Sequence, residues 1–556
     1  MRMSTEADRD EKLAEETIGA ALQAGITVFD TARAYGRGEG ELGHNERLLA
    51  GALSRAGAAS RARVITKGGM TRPGGAWVPD GRAKVILSDC EASLEALGGL
   101  PIDLYLIHAP DPRTPWRTSV RALARLVDEG LVARVGLSNV NRHQLDEALE
   151  LVPVAAVQVA LSVHDDRAIR GGIVGRCEER GVALIAHSPL GGPRRAGRLA
   201  RRPDQAGVAA PAEVALARLL QLSPAIVAIP GARRPETARS AARAARLALD
   251  RDLVTALSSV RSSRAAPAPF THGGEVVLIM GIPGAGKTLL AGEYAARGYR
   301  RLNRDERGGA LRELAAELER RLESGERQVV LDNTYLTRAA RSYVIEAASG
   351  HGTPTRCVWL DTPLAQAQVN LVERLLERFG SLPTPEELRA LARREPGALA
   401  PTQQMRALRE LEPPTADEGF ATVERIPFTR RPPAEPARGG VFVAAAALRR
   451  PGWERALADG DPRAPHLVFD WSPDGAPESL APAVALVQAA IAGPVEAKLC
   501  PHGGGPPRCW CRPPLPGLPL AFARAHGIDP AGSILIGTSA AHRTLATTLG
   551  GRYLEA

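Results

Sequence analysis

Along the first 250 residues, short apolar runs alternate with amphipathic stretches. The runs at 27–30, 63–67, 104–108, 132–138, 154–159, 182–188 and 226–230 predict buried strands, and 11–24, 83–97 and 145–151 predict intervening helices. Repeated β-α units predict a parallel sheet, and this many of them predict a (β/α)8 TIM barrel. A second series begins with an apolar strand at 275–280 and a helix from 289. Strands at 301–305, 328–334 and 356–360 follow, with helices at 338–348 and 364–379. A third series opens with the run 441–448. The chain therefore reads as α/β and multidomain. The stretches 258–274 and 433–440, rich in Ser, Ala, Pro and Gly, read as linkers. They divide the chain into domains at 1–257, 275–432 and 441–556.

At 556 residues the chain is too long for one core. Its 44% hydrophobic and 24% charged content is ordinary for a soluble globular protein. Only five of the 71 basic side chains are Lys (12, 67, 84, 287 and 498), so a retained Lys draws notice. The net charge of +9 is spread along the chain, which permits nucleotide or nucleic-acid ligands without requiring them. Six Cys make no disulfide framework at this length. With no apolar run of membrane-spanning length and a charged, polar N-terminus, the expected location is cytoplasmic, with no membrane partner.

Three clusters carry chemistry. Gly281-Ile282-Pro283-Gly284-Ala285-Gly286-Lys287-Thr288 fits G-x-x-x-x-G-K-[ST] between a strand and a helix. Gly281, Gly284 and Gly286 allow backbone N–H groups to form an anion nest at a helix start. Lys287 is expected to reach the β/γ-phosphates of ATP, and Thr288 to hold Mg²⁺. Asp305 is the expected base orienting a hydroxyl acceptor, and Asp332 is placed for a metal-side or network role. In the first domain Asp30, Lys67 and His108 fall at strand C-terminal ends, with Tyr35 five residues beyond Asp30. Tyr35 is expected to donate a proton if a cation lowers its pKa. Lys67 supplies that cation, Asp30 holds Lys67, and His108 orients a carbonyl substrate. In the third domain Cys500, His502, Cys509 and Cys511 form a Cys₃His set suited to structural Zn²⁺.

The runs Phe29-Asp30-Thr31-Ala32, Tyr35-Gly36, Gly43-His44-Asn45-Glu46, Thr66-Lys67-Gly68 and Ile102-Asp103-Leu104-Tyr105-Leu106-Ile107-His108 make residues 1 to about 250 resemble the aldo-keto reductase family. Val135-Gly136-Leu137-Ser138-Asn139, Ser188-Pro189-Leu190-Gly191 and Gly231-Ala232-Arg233-Arg234-Pro235-Glu236 extend the match. The resemblance implies hydride transfer from NADPH or NADH with Tyr35 as general acid. It further implies cofactor contacts from Ser138, Asn139, Gln158, Ser188, Leu190, Gly191, Gly231 and Arg233. His187 stands where an aromatic usually stacks on the nicotinamide, and Ala241 where a late cofactor-binding Asn is usual. At most Met1 to Thr5 remains of the family's glycine-rich first strand; a misplaced start codon would account for that.

Leu302-Asn303-Arg304-Asp305, Leu331-Asp332-Asn333-Thr334, the stretch 338–343 and Pro414-Thr415-Ala416-Asp417-Glu418-Gly419-Phe420 resemble the kinase half of polynucleotide 5′-kinase/3′-phosphatases. That resemblance implies a 5′-hydroxyl acceptor on RNA or DNA, activated by Asp305. It also implies a lid arginine, Arg374 or Arg378, over the ATP phosphates. The loop from Cys500 to Gly517 resembles zinc-bearing phosphatases of the haloacid-dehalogenase (HAD) superfamily, which implies a HAD-like Rossmannoid fold. The nucleophile and acid/base positions are here Ala444 and Ala446. The expected Lys is Pro513, and His542 ends the run where Mg²⁺-binding carboxylates are usual. An inactive pseudo-phosphatase is expected.

The combined expectation is a carbonyl reductase fused to an ATP-dependent 5′-hydroxyl polynucleotide kinase, possible as an oligomer, working on damaged nucleic-acid ends. A small-molecule kinase sharing one metabolite with the reductase, or a cofactor-sensing regulator, are the alternatives.

Overall fold

A computed structural model describes residues 2–192, 210–249, 274–429 and 438–556, apart from 393, 396 and 506. The proposed linkers therefore lie almost wholly outside the described residues. The chain divides into two compact units, one built on the N-terminal domain and one holding both later domains.

The first unit carries seven parallel strands paired in chain order. They are β1 (Val28–Asp30), β2 (Arg63–Gly68), β3 (Leu104–Ile107), β4 (Val135–Ser138), β5 (Val154–Ala160), β6 (Ala183–His187) and β7 (Ile226–Ile229). Each expected strand is present, shifted by at most three residues at either end. Ile65, Leu104, Leu106, Ala156 and Ile185 form the small inner core of this sheet. A larger cluster outside it includes Leu53, Ile86, Leu123, Leu145 and Leu184. The expected eighth strand is missing among the described residues, so the sheet is a nearly closed barrel. Arg2–Thr5, the remnant expected there, is a helical turn instead. Ser4 is buried, and its hydroxyl meets His44 Nδ1 at 3.0 Å and Asn45 Nδ2 at 2.8 Å, so side-chain bonds rather than a strand ladder hold this turn. The helix expected at 145–151 runs from Arg142 to Leu149, because Asn141 and Gln144 cap it reciprocally.

The second unit contains two five-stranded parallel sheets. In the first, β8 (Glu275–Met280) lies centrally, flanked by β10 (Gln328–Asp332) and β11 (Thr355–Asp361). β9 (Arg300–Leu302) and β12 (Thr422–Pro427) form the edges, giving the order β9-β10-β8-β11-β12. The strand expected at 301–305 stops at Leu302, where the chain enters the helical turn Arg304–Arg307. In the second sheet β13 (Val441–Ala444), β14 (His466–Trp471), β15 (Val495–Cys500), β16 (Ile534–Gly537) and β17 (Arg552–Glu555) follow the order β15-β14-β13-β16-β17. The run expected to be one strand through 448 ends at Ala444 and turns into a 3₁₀ segment, Ala447–Arg449. A string of alanines offers no β-branched side chains to prolong the ladder.

Three helices matter below: α1 (Lys287–Ala296), α2 (Leu364–Phe379) and α3 (Pro401–Glu410). The apolar stripe of α2 buries Val369, Leu371, Val372, Leu375 and Leu376 in one cluster with Phe442, Phe469, Trp510 and Phe522. Its spacing is that of a helix committing one face to a core. That core belongs to the last sheet, so the two expected C-terminal domains share it.

Candidate functional sites

At the C-terminal ends of β1–β3 the structure brings Asp30, Tyr35, Lys67 and His108 together. Lys67 Nζ lies 2.7 and 2.8 Å from the two Asp30 carboxylate oxygens, 2.8 Å from Thr31 O and 3.2 Å from Tyr35 Oη. The Lys67 side chain is fully buried. Gly68 follows because a Cβ there would sit 1.9 Å from Tyr105 Oη. Tyr35 and His108 meet edge to face, ring centroids 5.6 Å apart.

The electrostatics differ in one respect from expectation. Burial raises the Tyr35 pKa, and the lowering effect of Lys67 offsets this only in part, so the net shift is upward. Burial pulls Lys67 down, but Asp30 and Tyr35 outweigh it and the ammonium is held above its ordinary value. His108 is pushed well below its ordinary value, first by burial and then by the cations Lys67 and Arg72 and by His187. The cluster thus holds a protonated phenol, a fixed ammonium and a neutral imidazole.

The expected cofactor residues line the neighbouring strand ends. Ser138 and Gln158 are register partners on β4 and β5. Gln158 donates to Asp30 Oδ1 at 2.7 Å, tying this wall to the catalytic cluster. Asn139 Nδ2 donates to His108 O at 2.9 Å, and Asn139 Oδ1 lies 3.2 Å from His187 Nε2. Asn139 and Ser188 both adopt positive φ, at 57° and 53°. Such strain in non-glycine residues clusters at functional sites. A pocket beside them is lined by Ser162, Asp165, Ser188, Gly191 and Gly192, with Leu190 in the adjoining turn. Ser162 and Asp165 carry no motif that sequence reasoning singled out. These amide, hydroxyl and imidazole groups fit a nicotinamide ring and its carboxamide. Gly231 lies in the loop after β7. Arg233 pairs with Asp8 at 3.3 Å and Glu6 at 3.7 Å rather than standing open for a cofactor phosphate.

The phosphate loop follows β8 and opens α1. Gly281, Gly284 and Gly286 have φ of 154°, 88° and 95°. A Cβ on Gly284 would lie 2.2 Å from Ala367 O, so glycine is required there on both counts. Lys287 Nζ donates to Gly281 O and Ile282 O, both at 3.0 Å, and Thr288 is exposed on the first turn of α1. This glycine cradle at a helix start fits a nucleotide's phosphates with Mg²⁺.

Two expected groups of this site have protein partners. Both oxygens of the buried Asp332 are engaged: Arg301 Nε and Nη2 donate at 3.1 and 2.8 Å, and Asn303 Nδ2 donates at 2.8 Å. Of the metal-side and network roles, the geometry gives Asp332 the network one. Arg374 donates to Gly397 O at 2.8 Å and Arg378 pairs with Glu395. Sequence reasoning missed two residues that reach the phosphate loop. Asn370 of α2 donates to Gly284 O at 2.8 Å, and Gln404 of α3 donates to Pro283 O at 3.0 Å. Neutral amides carry no motif. Asp305 sits in the turn Arg304–Arg307, and its side chain lies outside the described residues.

Cys500, His502, Cys509 and Cys511 converge, with all ligand atoms within 4.8 Å of one another. Cys500 Sγ lies 3.7 Å from Cys509 Sγ and 3.3 Å from Cys511 Sγ; His502 Nδ1 lies 3.2 Å from Cys511 Sγ. These separations and this donor set fit tetrahedral Zn²⁺, whose Zn–S bonds are about 2.3 Å. The intervening Trp510 is buried and donates from Nε1 to Leu399 O at 2.8 Å. No carboxylate ends β13: Ala444 is buried there and Ala446 follows.

Residues 2–208 match the aldo/keto reductase family, and residues 276–396 match a family described as an AAA domain. The aldo-keto reductase str7 of Strobilurus tenacellus is 34% identical over 178 residues, 32% of this chain and 50% of that protein. The chain thus spans about half the length of this curated relative. Among solved structures, the thermostable aldo-keto reductase Tm1743 is 30% identical with a TM-score of 0.39, covering 46% of this chain and 89% of that one. The glycerol dehydrogenase AKR11B4 of Gluconobacter oxydans is 25% identical with a TM-score of 0.41, covering 48% and 90%.

Proposed function

We infer that the chain joins an N-terminal aldo/keto reductase domain to a P-loop, kinase-like domain. We propose that the first is an active NADPH- or NADH-dependent carbonyl reductase and the second an ATP-dependent kinase acting on the 5′-hydroxyl of RNA or DNA. The observation that carries the first half is the 3.2 Å contact between Tyr35 Oη and Lys67 Nζ, with Asp30 behind the ammonium and neutral His108 beside the phenol. When bound, the nicotinamide cofactor supplies a hydride to the carbonyl carbon. Tyr35 then gives its proton to the carbonyl oxygen, and Lys67 steadies the phenolate left behind. His108, uncharged, orients the carbonyl without competing as an acid. Ser138, Asn139 and Gln158 would hold the cofactor's carboxamide, and His187 would supply the ring that packs beside the nicotinamide.

The kinase reading is supported by the loop geometry, by the central position of β8 and by the motif from Asn303 to Asp305. Lys287 would turn from its loop carbonyls to the β/γ-phosphates, and Asp305 would orient the acceptor hydroxyl. The strand order β15-β14-β13-β16-β17 and the Cys₃His loop support a HAD-like tail. With alanine at 444 and 446 it has no nucleophile for a phosphoenzyme, so we read it as an inactive phosphatase relative holding structural Zn²⁺. A shared role in repairing damaged nucleic-acid ends would join the two activities, and the reading includes a cytoplasmic location. Among the described residues no helix is long and apolar enough to cross a membrane.

The test is paired. NADPH oxidation is measured with aldehydes and with aldehyde-terminated oligonucleotides, and phosphate transfer from ATP with 5′-hydroxyl oligonucleotides against sugars and polyols. Turnover removed by Tyr35→Phe in the first assay and by Lys287→Ala in the second supports the reading. Phosphate transfer to sugars or polyols alone would replace the nucleic-acid acceptor with a small metabolite. No cofactor oxidation above background would remove the reductase.

A further inference from the structure

Beside the catalytic cluster lies a cation that the reduction itself does not use. Arg72 follows β2 on a tight loop, where Gly74 and Gly75 take positive φ and return the chain to Trp77. Met70 and Thr71 pair with Pro79 and Val78 across this loop, closing it as a hairpin. Arg72 is only 5% exposed, yet among the described residues no carboxylate meets it. Its Nη1 and Nη2 make long bonds, 3.4 and 3.3 Å, to the carbonyls of Ala34 and Arg37, and Nε has no acceptor. Lys67 and Arg33, also cations of this region, are matched by Asp30 and Asp89. A buried charge is ordinarily paired, so a guanidinium held by neutral carbonyls alone is short of a counter-anion.

The surroundings say where that anion comes from. The Arg72 guanidinium lies 3.7 Å from the centroid of the Trp77 ring. Trp77 is 43% exposed, and its ring stands edge-on to Tyr35 at 6.2 Å and to His108 at 5.9 Å. Trp77 thus contacts the proton donor, the carbonyl-orienting imidazole and an unneutralised guanidinium. A molecule with its carbonyl at Tyr35 and His108 would run along Trp77 toward Arg72.

We propose that Arg72 selects carbonyl substrates carrying an anionic group, a carboxylate or a phosphate, a short chain away from the carbonyl. Arg suits such a group because its planar fork can meet two oxygens at once. The inference rests on the reductase reading of the same site and adds the substrate class.

The experiment compares kcat/KM for succinic semialdehyde with that for its methyl ester, and for glyceraldehyde 3-phosphate with that for glyceraldehyde. These pairs separate a carboxylate from a phosphate. The expected result is an anion-to-neutral preference of about 10- to 100-fold in at least one pair, collapsing toward 1 in Arg72→Met and partly kept in Arg72→Lys. The ratio is the readout, because a purely structural clamp on Ala34 and Arg37 would lower both members of a pair alike. Equal use of both members by the unaltered protein, or an unchanged preference in Arg72→Met, overturns the proposal. A second arm needs no turnover: in a Lys287→Ala background, which weakens the phosphate loop, calorimetric titration with succinate and with inorganic phosphate should show binding that adding Arg72→Met removes. If no aldehyde is reduced, the reductase reading falls, and this titration still decides the anion site.

Discussion

Lys67 Nζ stands within 2.8 Å of both carboxylate oxygens of Asp30 while also touching Tyr35 Oη. The ammonium is therefore fixed by one anion, and in the proposed reduction it would serve a second forming on the tyrosine. Replacing Asp30 by Asn removes the anion and keeps the shape. The buried Lys67 then loses its main support against desolvation. We expect kcat for carbonyl reduction to fall about 10²- to 10⁴-fold, comparable to loss of an acid–base group. Steady-state rates with cofactor binding followed separately by fluorescence check this, since cofactor affinity should change much less than kcat.

The pH profile should lack an acid limb near neutrality. His108 is held well below its ordinary value, so it stays neutral as pH falls through 6.5. Tyr35 is shifted upward, so the proton it must donate is retained above pH 10. Reduction should therefore stay level from about pH 6 to 9 and decline only when the phenol ionises. A bell centred near pH 6.5 in kcat/KM would contradict this assignment of charge.

Asp332→Ala should act on stability as well as on any kinase activity. It leaves Arg301 Nε and Nη2 without their buried acceptor, while Nη1 keeps Glu306. Because Arg301 is partly exposed and keeps Glu306, the cost should fall below the about 3–5 kcal/mol of a fully buried pair. Denaturant unfolding should show that loss in the second unit, and Asp332→Asn should recover part of it by keeping one of the two acceptors for Arg301.

Metal removal should loosen the second unit. With free Zn²⁺ a thousandfold above its dissociation constant, binding adds about 4 kcal/mol to folding stability. Chelation or Cys509→Ser should lower the unfolding midpoint and alter the near-UV signal of Trp510, which lies between two of the ligands. Elemental analysis should find one zinc per chain before chelation, and none in a folded Cys509→Ser protein.

The strands and the clustered site groups of the first domain were readable in the sequence because both depend on period. Apolar runs mark buried strands, and polar residues closing them mark one face of a parallel barrel. Asp30, Lys67 and His108 carry that signature. What escaped reading depends on distant partners. Asn370 and Gln404 are ordinary amides until folding sets them against Gly284 and Pro283. Asp332 invited a metal role from its place at a strand end, and only its neighbours Arg301 and Asn303 show it already engaged. The direction of the Tyr35 shift also depends on burial, which local sequence does not measure. The turn at Ala444 shows the reverse error, where apolar composition overstated a strand.

The sharing of α2 has a consequence for how the chain can be dissected. Val369, Leu371, Val372, Leu375 and Leu376 are covered by the last sheet and its Cys₃His loop, while Asn370 from the same helix braces the phosphate loop. Cutting the chain after residue 440 would not release a tidy kinase fragment. It would leave a greasy helix face open to water, inviting aggregation and slackening the brace on Gly284. A tail with alanines at its strand end can thus be indispensable in the way a splint is, by bearing load rather than by reacting.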